Sequence, residues 1–346
     1  MLLSTSDFVL IFSLSFLLVS ALTPLMRNVA LKYGVIDNPT EPHKTHLNPI
    51  PYLGGVAIVL GVTTVTYGAS LLSDFSKSVF WLASTVLLPA LIMAVIGLID
   101  DIRKLSPWSR FLVQNAIGIF SAVVLISTDT VGSPTGSSIL DVGITILWVV
   151  GITNAINFFD NLDGGASGTV AISSGFLFVL ASQNEQYLIA AMALVLSGST
   201  LGFLFWNRPP ARIYMGDAGA LFLGLVIASL TIRLDPNPIN RFSGFLVPVF
   251  LLSVPILDTT VAVTSRLRRG ISPFQGGRDH LSHRLMRNGF SKRSAVISLW
   301  LLQVFFCFFA IAISNSPYKF EGFIAGFGLA LWFLLFRFFL SMADKP

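Results

Sequence analysis

Apolar stretches long enough to cross hydrocarbon recur along this chain, each ended by a short polar break. Windows close to the ~20 residues that a bilayer-spanning helix needs fall at about 8–26, 52–72, 79–99, 109–127, 142–159, 166–182, 187–206, 218–234, 242–264, 295–313 and 322–341. The pattern predicts an all-α, polytopic membrane protein with about eleven transmembrane helices. The first window exceeds the 7–15 apolar residues of a secretory signal, so it reads as a helix. No polar stretch is long enough for a separate soluble domain, and residues 1–346 read as a single membrane domain. No internal repeat is visible, so the inverted-repeat signature of many transporters is missing.

Composition agrees: 54% of residues are hydrophobic and 11% charged, against roughly 25% charged in soluble domains. The net charge of +5 would suit nucleic acid, but its distribution gives a simpler reason. With the N-terminus outside and the C-terminus cytoplasmic, only Lys77, Arg233, Arg241 and Lys319 of the 22 Lys and Arg fall outside, as the positive-inside tendency requires. No nucleic-acid partner is needed. The lone cysteine, Cys307, lies in an apolar run and excludes an internal disulfide.

Four polar clusters interrupt the apolar pattern: Gly97–Asp101, Asn154–Gly165, Met215–Gly219 and Arg278–Arg284. Counting helices from an outside N-terminus puts all four on the cytoplasmic face, which independent structural polar residues would not do. Each cluster has two readings. Asp100 and Asp101 point about 100° apart on a helix and so serve different partners; they form either a solvated helix end paired with Arg103 or Lys104, or a cation site. Asn154, Asn157 and Asn161 share a helix face, with Asp160 and Asp163 at its frayed end; amides can glue helices, but the oxygen-rich set also suits Mg²⁺ and a polar ligand. Asp217 either caps the following helix or faces a ligand beside Asn207 and Tyr214. His280 and His283, with Arg278, either grip a diphosphate, form half a zinc site or lie in a solvated basic loop. Lys44 and His46 in the first inner loop are within reach of phosphate or merely solvated. Asp258, inside the ninth window, reads as a partner for Arg266–Arg269 or a cap at Pro255.

Together, and in this order over about residues 30–295, the clusters resemble the polyprenyl-phosphate N-acetylhexosamine-1-phosphate transferases, relatives of the phospho-MurNAc-pentapeptide translocase. The family's Asp-Asp-x-x-Lys is matched by Asp100, Asp101 and Lys104. Its Asn-x-x-Asn-x-x-Asp-Gly-x-Asp-Gly is matched by Asn154, Asn157, Asp160, Asp163 and Gly164, and its aromatic-Met-Gly-Asp with an upstream Asn by Asn207, Tyr214 and Asp217. The chain departs from the pattern at Asn161, where the family has glycine, at Gly165-Ala166, where it has Leu-Ala, and at Ser282, where the hexosamine branch often has a further histidine.

The resemblance implies a Mg²⁺-dependent enzyme (Mn²⁺ as substitute) of the bacterial inner membrane with a cytoplasmic active site. It implies transfer of N-acetylhexosamine-1-phosphate, GlcNAc-1-phosphate first, from UDP-N-acetylhexosamine to a polyprenyl phosphate. UMP is released, and the product starts a cell-envelope polysaccharide. By the same resemblance Asp217, Asn157 and Asp101 hold the metal, and Asp100 is the base or positions the lipid phosphate. Asn207, Tyr214, Asp160 and Asp163 hold the uridine, while Arg278, His280 and His283 take diphosphate and sugar. Asn154, Lys44, His46 and Lys104 complete the substrate contacts, and a homodimer is compatible with the resemblance. Alternatives are a pentapeptide-bearing donor, disfavoured by the lack of a triple-histidine run, and a proton-coupled transporter, which would hold its carboxylates near the midplane.

Overall fold

The computed structural model describes residues 3–37, 49–72, 77–128, 135, 137–236, 241–273 and 277–342. The fold is helical apart from a two-residue hairpin. The elements are α1 (Thr5–Tyr33), β1 (Ile36–Asp37), β2 (Ile50–Pro51), α2 (Gly54–Leu72), α3 (Lys77–Arg103), α4 (Pro107–Ser127), α5 (Ser138–Phe159), α6 (Gly165–Gln183), α7 (Tyr187–Asn207), α8 (Gly216–Ile232), α9 (Arg241–Leu251), α10 (Ser253–Arg268), α11 (Leu281–Arg287), α12 (Lys292–Asn315) and α13 (Tyr318–Ser341). Among the described residues nine helices are long and apolar enough to cross a bilayer, and a tenth span results if α9 and α10 count as one. The eighth predicted window is the 17-residue α8, shorter than those nine.

α8 is the axis of the bundle. Every residue from Ala218 to Thr231 is buried, as expected for a helix that is apolar all round, and α2, α3 and α5 pack around it. α2 approaches so closely that a Cβ on Gly55 would stand 2.2 Å from the backbone nitrogen of Gly219. Small residues at such a crossing let two backbones pack directly, a main source of helix association in lipid.

The ninth window is not one helix, as its pattern predicts, but two that meet at a 76° bend. Pro255 has no N–H to donate to the carbonyl of Leu251, four residues back. Gln303 of α12 supplies the missing bonds: its Nε2 donates to Leu251 O at 2.8 Å, and its Oε1 accepts from Val254 N at 3.0 Å. Freed backbone groups in hydrocarbon need such partners, and Gln303 is itself fully buried. Cys307, one turn on, is buried and reduced, as expected.

The hairpin pairs Ile36 with Pro51 and Asp37 with Ile50, antiparallel. Its second strand is tied to the segment before α8: Tyr214 N donates to Pro51 O, Gly54 N to Tyr214 O and Gly55 N to Met215 O, all at 2.9–3.0 Å. These bonds bring Tyr52 beside Tyr214.

Candidate active site

The four polar clusters meet in one cleft of about 500 Å³ at the end of the bundle where α3, α5 and α7 end and α8 begins. That volume lies within the usual range for small-molecule sites. The cleft takes shape from the N-terminus of α8. Met215, at the N-cap position, makes no side-chain capping bond. The cap comes instead from α3: Asp101 Oδ1 accepts from Asp217 N at 2.9 Å, and its Oδ2 from Ala218 N at 3.1 Å. Two of the helix's orphan donors are thereby satisfied by a carboxyl acceptor at the positive end of the dipole. Gly216 makes room for it. Its φ is +69°, and a Cβ there would meet the Asp101 carboxylate at 2.5 Å.

Because Asp101 caps the helix, Asp217 is free to face the cleft. Asn157 Nδ2 donates to its Oδ1 at 2.9 Å, and its carboxylate lies within hydrogen-bonding reach of Asp100. Arg110 of α4 stands between these two acids, 3.1 Å from Asp100 Oδ2 and 3.6 Å from Asp217 Oδ2. Asp100 also accepts from Leu105 N at 2.8 Å. Asp100 and Asp101 do serve different partners, and the cation beside Asp100 is Arg110.

A second wall joins the α5–α6 turn to the α7–α8 loop. Asn207 Oδ1 accepts from Gly164 N (2.9 Å) and Ser167 Oγ (3.1 Å), while its Nδ2 donates to Ile213 O (2.9 Å). Asp163 accepts from Ala211 N at 3.0 Å and from the Tyr214 hydroxyl. Tyr52 and Tyr214 stand with ring centroids 6.2 Å apart, and Tyr52 donates to Asp37. Burial and neighbouring carboxylates raise the pKa of both phenols, so they stay protonated donors. Asp160, just past the end of α5, has its pKa pushed up to about 7 by burial and then by the charges of Asp217 and Asp163.

The third wall is the loop after α10. Asp258 is fully buried; its Oδ2 lies 2.7 Å from His280 Nδ1, and its Oδ1 accepts from Leu281 N at 2.7 Å. Arg266 Nη2 lies 3.3 Å from His280 Nε2. A guanidinium can only donate, so Nε2 accepts and the ring proton sits on Nδ1, facing Asp258. Arg266 is held in turn by Asp279 (2.9 Å) and Pro273 O (2.7 Å). Burial raises the Asp279 pKa, but its bonds and charges with Arg266 and Arg269 outweigh that and keep the carboxyl below its usual range. His283 has its pKa pushed down to about 4, by burial first and then by His280. Arg284, fully buried, anchors the loop by donating to the carbonyls of Asp279, Phe339 and Met342. Ser282 Oγ donates to Asn161 Oδ1, so two of the family-pattern departures touch.

Of the residues singled out from sequence, Asp100, Asp101, Lys104, Asn157, Asp160, Asp163, Asn207, Tyr214, Asp217, His280 and His283 line the cleft. Asn154 does not; its amide donates to Val150 O in its own helix. Arg278 is exposed and outside the lining. Lys44 and His46 lie outside the described residues. Asp258 pairs with His280 rather than capping the break at Pro255. The cleft also draws in Asp37, Tyr52 and Arg110, which sequence reasoning passed over.

Among the described residues no three His, Cys, Asp or Glu side chains form a metal site by themselves. Mg²⁺ is usually held by one or two carboxylates and completes its shell with water and substrate phosphates. Asp217, positioned by Asn157, fits such a half-site. The oxygen-only donor set suits a hard cation and not zinc.

The described residues thus form a bundle of membrane-length helices with an acidic, amide-lined cleft at one end. Residues 83–235 match glycosyl transferase family 4. The chain is 34% identical over 313 residues to the probable undecaprenyl-phosphate N-acetylglucosaminyl 1-phosphate transferase of Bacillus subtilis, covering 89% of this chain and 85% of that protein. It is 32% identical to the decaprenyl-phosphate N-acetylglucosaminephosphotransferase of Mycolicibacterium smegmatis (81% and 75% covered). To the undecaprenyl-phosphate alpha-N-acetylglucosaminyl 1-phosphate transferase of Yersinia pestis it is 27% identical (85% and 79%). The chain belongs to this family of multi-pass membrane transferases.

Proposed function

We propose that this protein transfers N-acetylglucosamine-1-phosphate from UDP-GlcNAc to a membrane polyprenyl phosphate. A phosphate oxygen of the lipid attacks the sugar-linked β-phosphorus of the donor. The bond from that phosphorus to the bridging oxygen breaks, UMP leaves, and a polyprenyl diphosphate sugar remains in the membrane. The observation that carries this reading is the crowding of six carboxylates (Asp37, Asp100, Asp101, Asp160, Asp163 and Asp217) around one cleft that also holds Arg110 and Lys104. Two polyanionic substrates would be repelled there without a divalent cation, and such neutralisation is most of phosphoryl-transfer catalysis.

In this reading Mg²⁺ offsets charge on the donor diphosphate, and Asp217 with Asn157 would hold it. Asp101 supports that arrangement through the α8 cap. Asp100, fixed by Leu105 N and Arg110, positions the lipid phosphate. Tyr52 and Tyr214 offer flat faces to the uracil, beside Asp160 and Asp163. His280 and His283 face the diphosphate and sugar.

Purified protein given polyprenyl phosphate, Mg²⁺ and a panel of UDP-sugars should release UMP with UDP-GlcNAc. Absence of UMP release with every UDP-N-acetylhexosamine would overturn the assignment. His280→Ala removes the acceptor that orients Arg266 Nη2 and the partner of buried Asp258, so UDP-GlcNAc binding should weaken about tenfold or more, or kcat should fall if the wall is needed only in the transition state. UMP and polyprenyl-phosphate binding should change little. Wild-type donor binding together with wild-type kcat would return His280 to a purely structural role.

The cleft faces the cytoplasm of a bacterial inner membrane in this reading. Cysteines introduced at Ser106 and Ser272 should resist impermeant thiol reagents in intact cells, and one at Ser138 should label; Cys307 is buried and stays silent. External labelling at Ser272 would reverse the orientation.

A further inference from the structure

A second cavity, of about 300 Å³, lies at the other end of the bundle, lined by Leu82, Gln186, Tyr187, Leu188, Ile189, Met192, Leu230 and Arg233. α8 begins at the active site and ends at Arg233. Its 17 residues put the two about 25 Å apart at 1.5 Å per residue. The cavity walls are apolar except where Arg233 and Gln186 meet. Gln186 has a partner at each polar atom: its Nε2 donates to Arg233 O, and its Oε1 accepts from Asp235 N. Arg233 does not. It is 8% exposed, Nη1 donates to Leu82 O at 3.3 Å, and Nη2 is buried with no acceptor among the described residues. Burial is the sole cause lowering its pKa, to about 10, so the guanidinium remains charged at neutral pH.

A buried guanidinium donor without an acceptor costs free energy, more than a neutral group would. An anion in the cavity would remove that cost. The other walls exclude a small hydrated ion as the natural occupant, because Leu82, Leu188, Ile189, Met192 and Leu230 offer it nothing, whereas they suit hydrocarbon. Trp81, next to Leu82, is 65% exposed, and Tyr187 is half-buried at the rim. An exposed Trp at the end of an apolar helix marks headgroup depth in a bilayer. We propose that this cavity binds an anionic phospholipid in the leaflet away from the active site, with a phosphate oxygen on Arg233 Nη2 and the first part of an acyl chain against Leu188, Ile189 and Met192. Recognition is by charge and apolar shape, which a zwitterionic lipid satisfies less well because its own cation competes with Arg233.

Native mass spectrometry of the detergent-solubilised full chain tests this with phosphatidylglycerol and phosphatidylcholine of identical acyl chains. Wild-type protein should retain phosphatidylglycerol preferentially. Arg233→Met should weaken that retention about tenfold or more, as loss of a charge-assisted contact does, and remove the preference. Ile189→Trp, which fills the cavity mouth and leaves Arg233 in place, should block the lipid as well. Its unfolding midpoint, measured without added lipid, shows that the fold is intact, and it decides the matter if Arg233→Met does not fold. Equal retention of the two lipids by wild type, or retention unchanged in Ile189→Trp, overturns the proposal. Displacement of phosphatidylglycerol by millimolar inorganic phosphate would make this a free-anion site and overturn the lipid assignment.

Discussion

Asp217→Ala is expected to lower transfer at least about 100-fold while leaving the fold standing. Both halves follow from the division of labour at the start of α8. Asp217 makes no capping bond; the backbone donors of that first turn are held by Asp101. Removing its side chain takes away the acceptor for Asn157 Nδ2 and a carboxylate within reach of Asp100 and 3.6 Å from Arg110. The helix keeps its cap. In steady-state assays the loss should appear in kcat/KM, with a thermal midpoint near that of the wild type. Asp217→Asn keeps an oxygen in place, so Mn²⁺ or raised Mg²⁺ should restore part of its activity. If wild-type transfer persists undiminished in excess chelator, the divalent-cation reading of Asp217 is wrong.

Asp101→Ala should behave in the opposite way. It strips the Asp217 and Ala218 amides of their shared acceptor at a buried helix start, and should cost about 1–2 kcal/mol of stability, as loss of an N-cap does. The thermal midpoint should fall in metal-free buffer, and activity should fall with it, because a frayed first turn no longer holds Asp217 in place. Mn²⁺ should not restore either quantity. Asp101→Asn, with one carbonyl oxygen for two amides, should lie between. An unchanged midpoint with activity restored by Mn²⁺ would make Asp101 a metal ligand and not the cap.

The pair of variants shows what the sequence could and could not reveal. That Asp100-Asp101, the Asn154–Gly165 stretch, Asp217 and the His280 loop share one end of the bundle was readable from apolar lengths and the charge bias, because both are local patterns with a known period. Roles within the cleft were less legible. A carboxylate before an apolar run reads as its cap, and Asp217 has that position; only the approach of α3 shows that Asp101 takes the cap from another helix. Asn154 shares a helical face with Asn157, but one turn of rise carries it out of the cleft. Asp37, Tyr52 and Arg110 lie on elements remote in sequence from the motifs and join the site through backbone pairing and helix packing that no periodicity encodes. Asp258 looked like a companion of the arginines near it in sequence, whereas its partner is His280, 22 residues away. The ninth window read as one span because Pro255 is tolerated only when another residue supplies the missing bonds, and Gln303 lies 48 positions further on.

Asn161 and Ser282, remote in sequence and each unlike the family pattern at its own position, hold one hydrogen bond between them. Substitutions at the two positions should therefore be coupled. Glycine at 161 alone would leave the Ser282 hydroxyl with His283 Nδ1 as its remaining partner, and an imidazole at 282 alone would press a larger ring toward the Asn161 amide. A double-mutant cycle should return a non-additive term. Grafting this loop onto a relative calls for exchanging both positions at once.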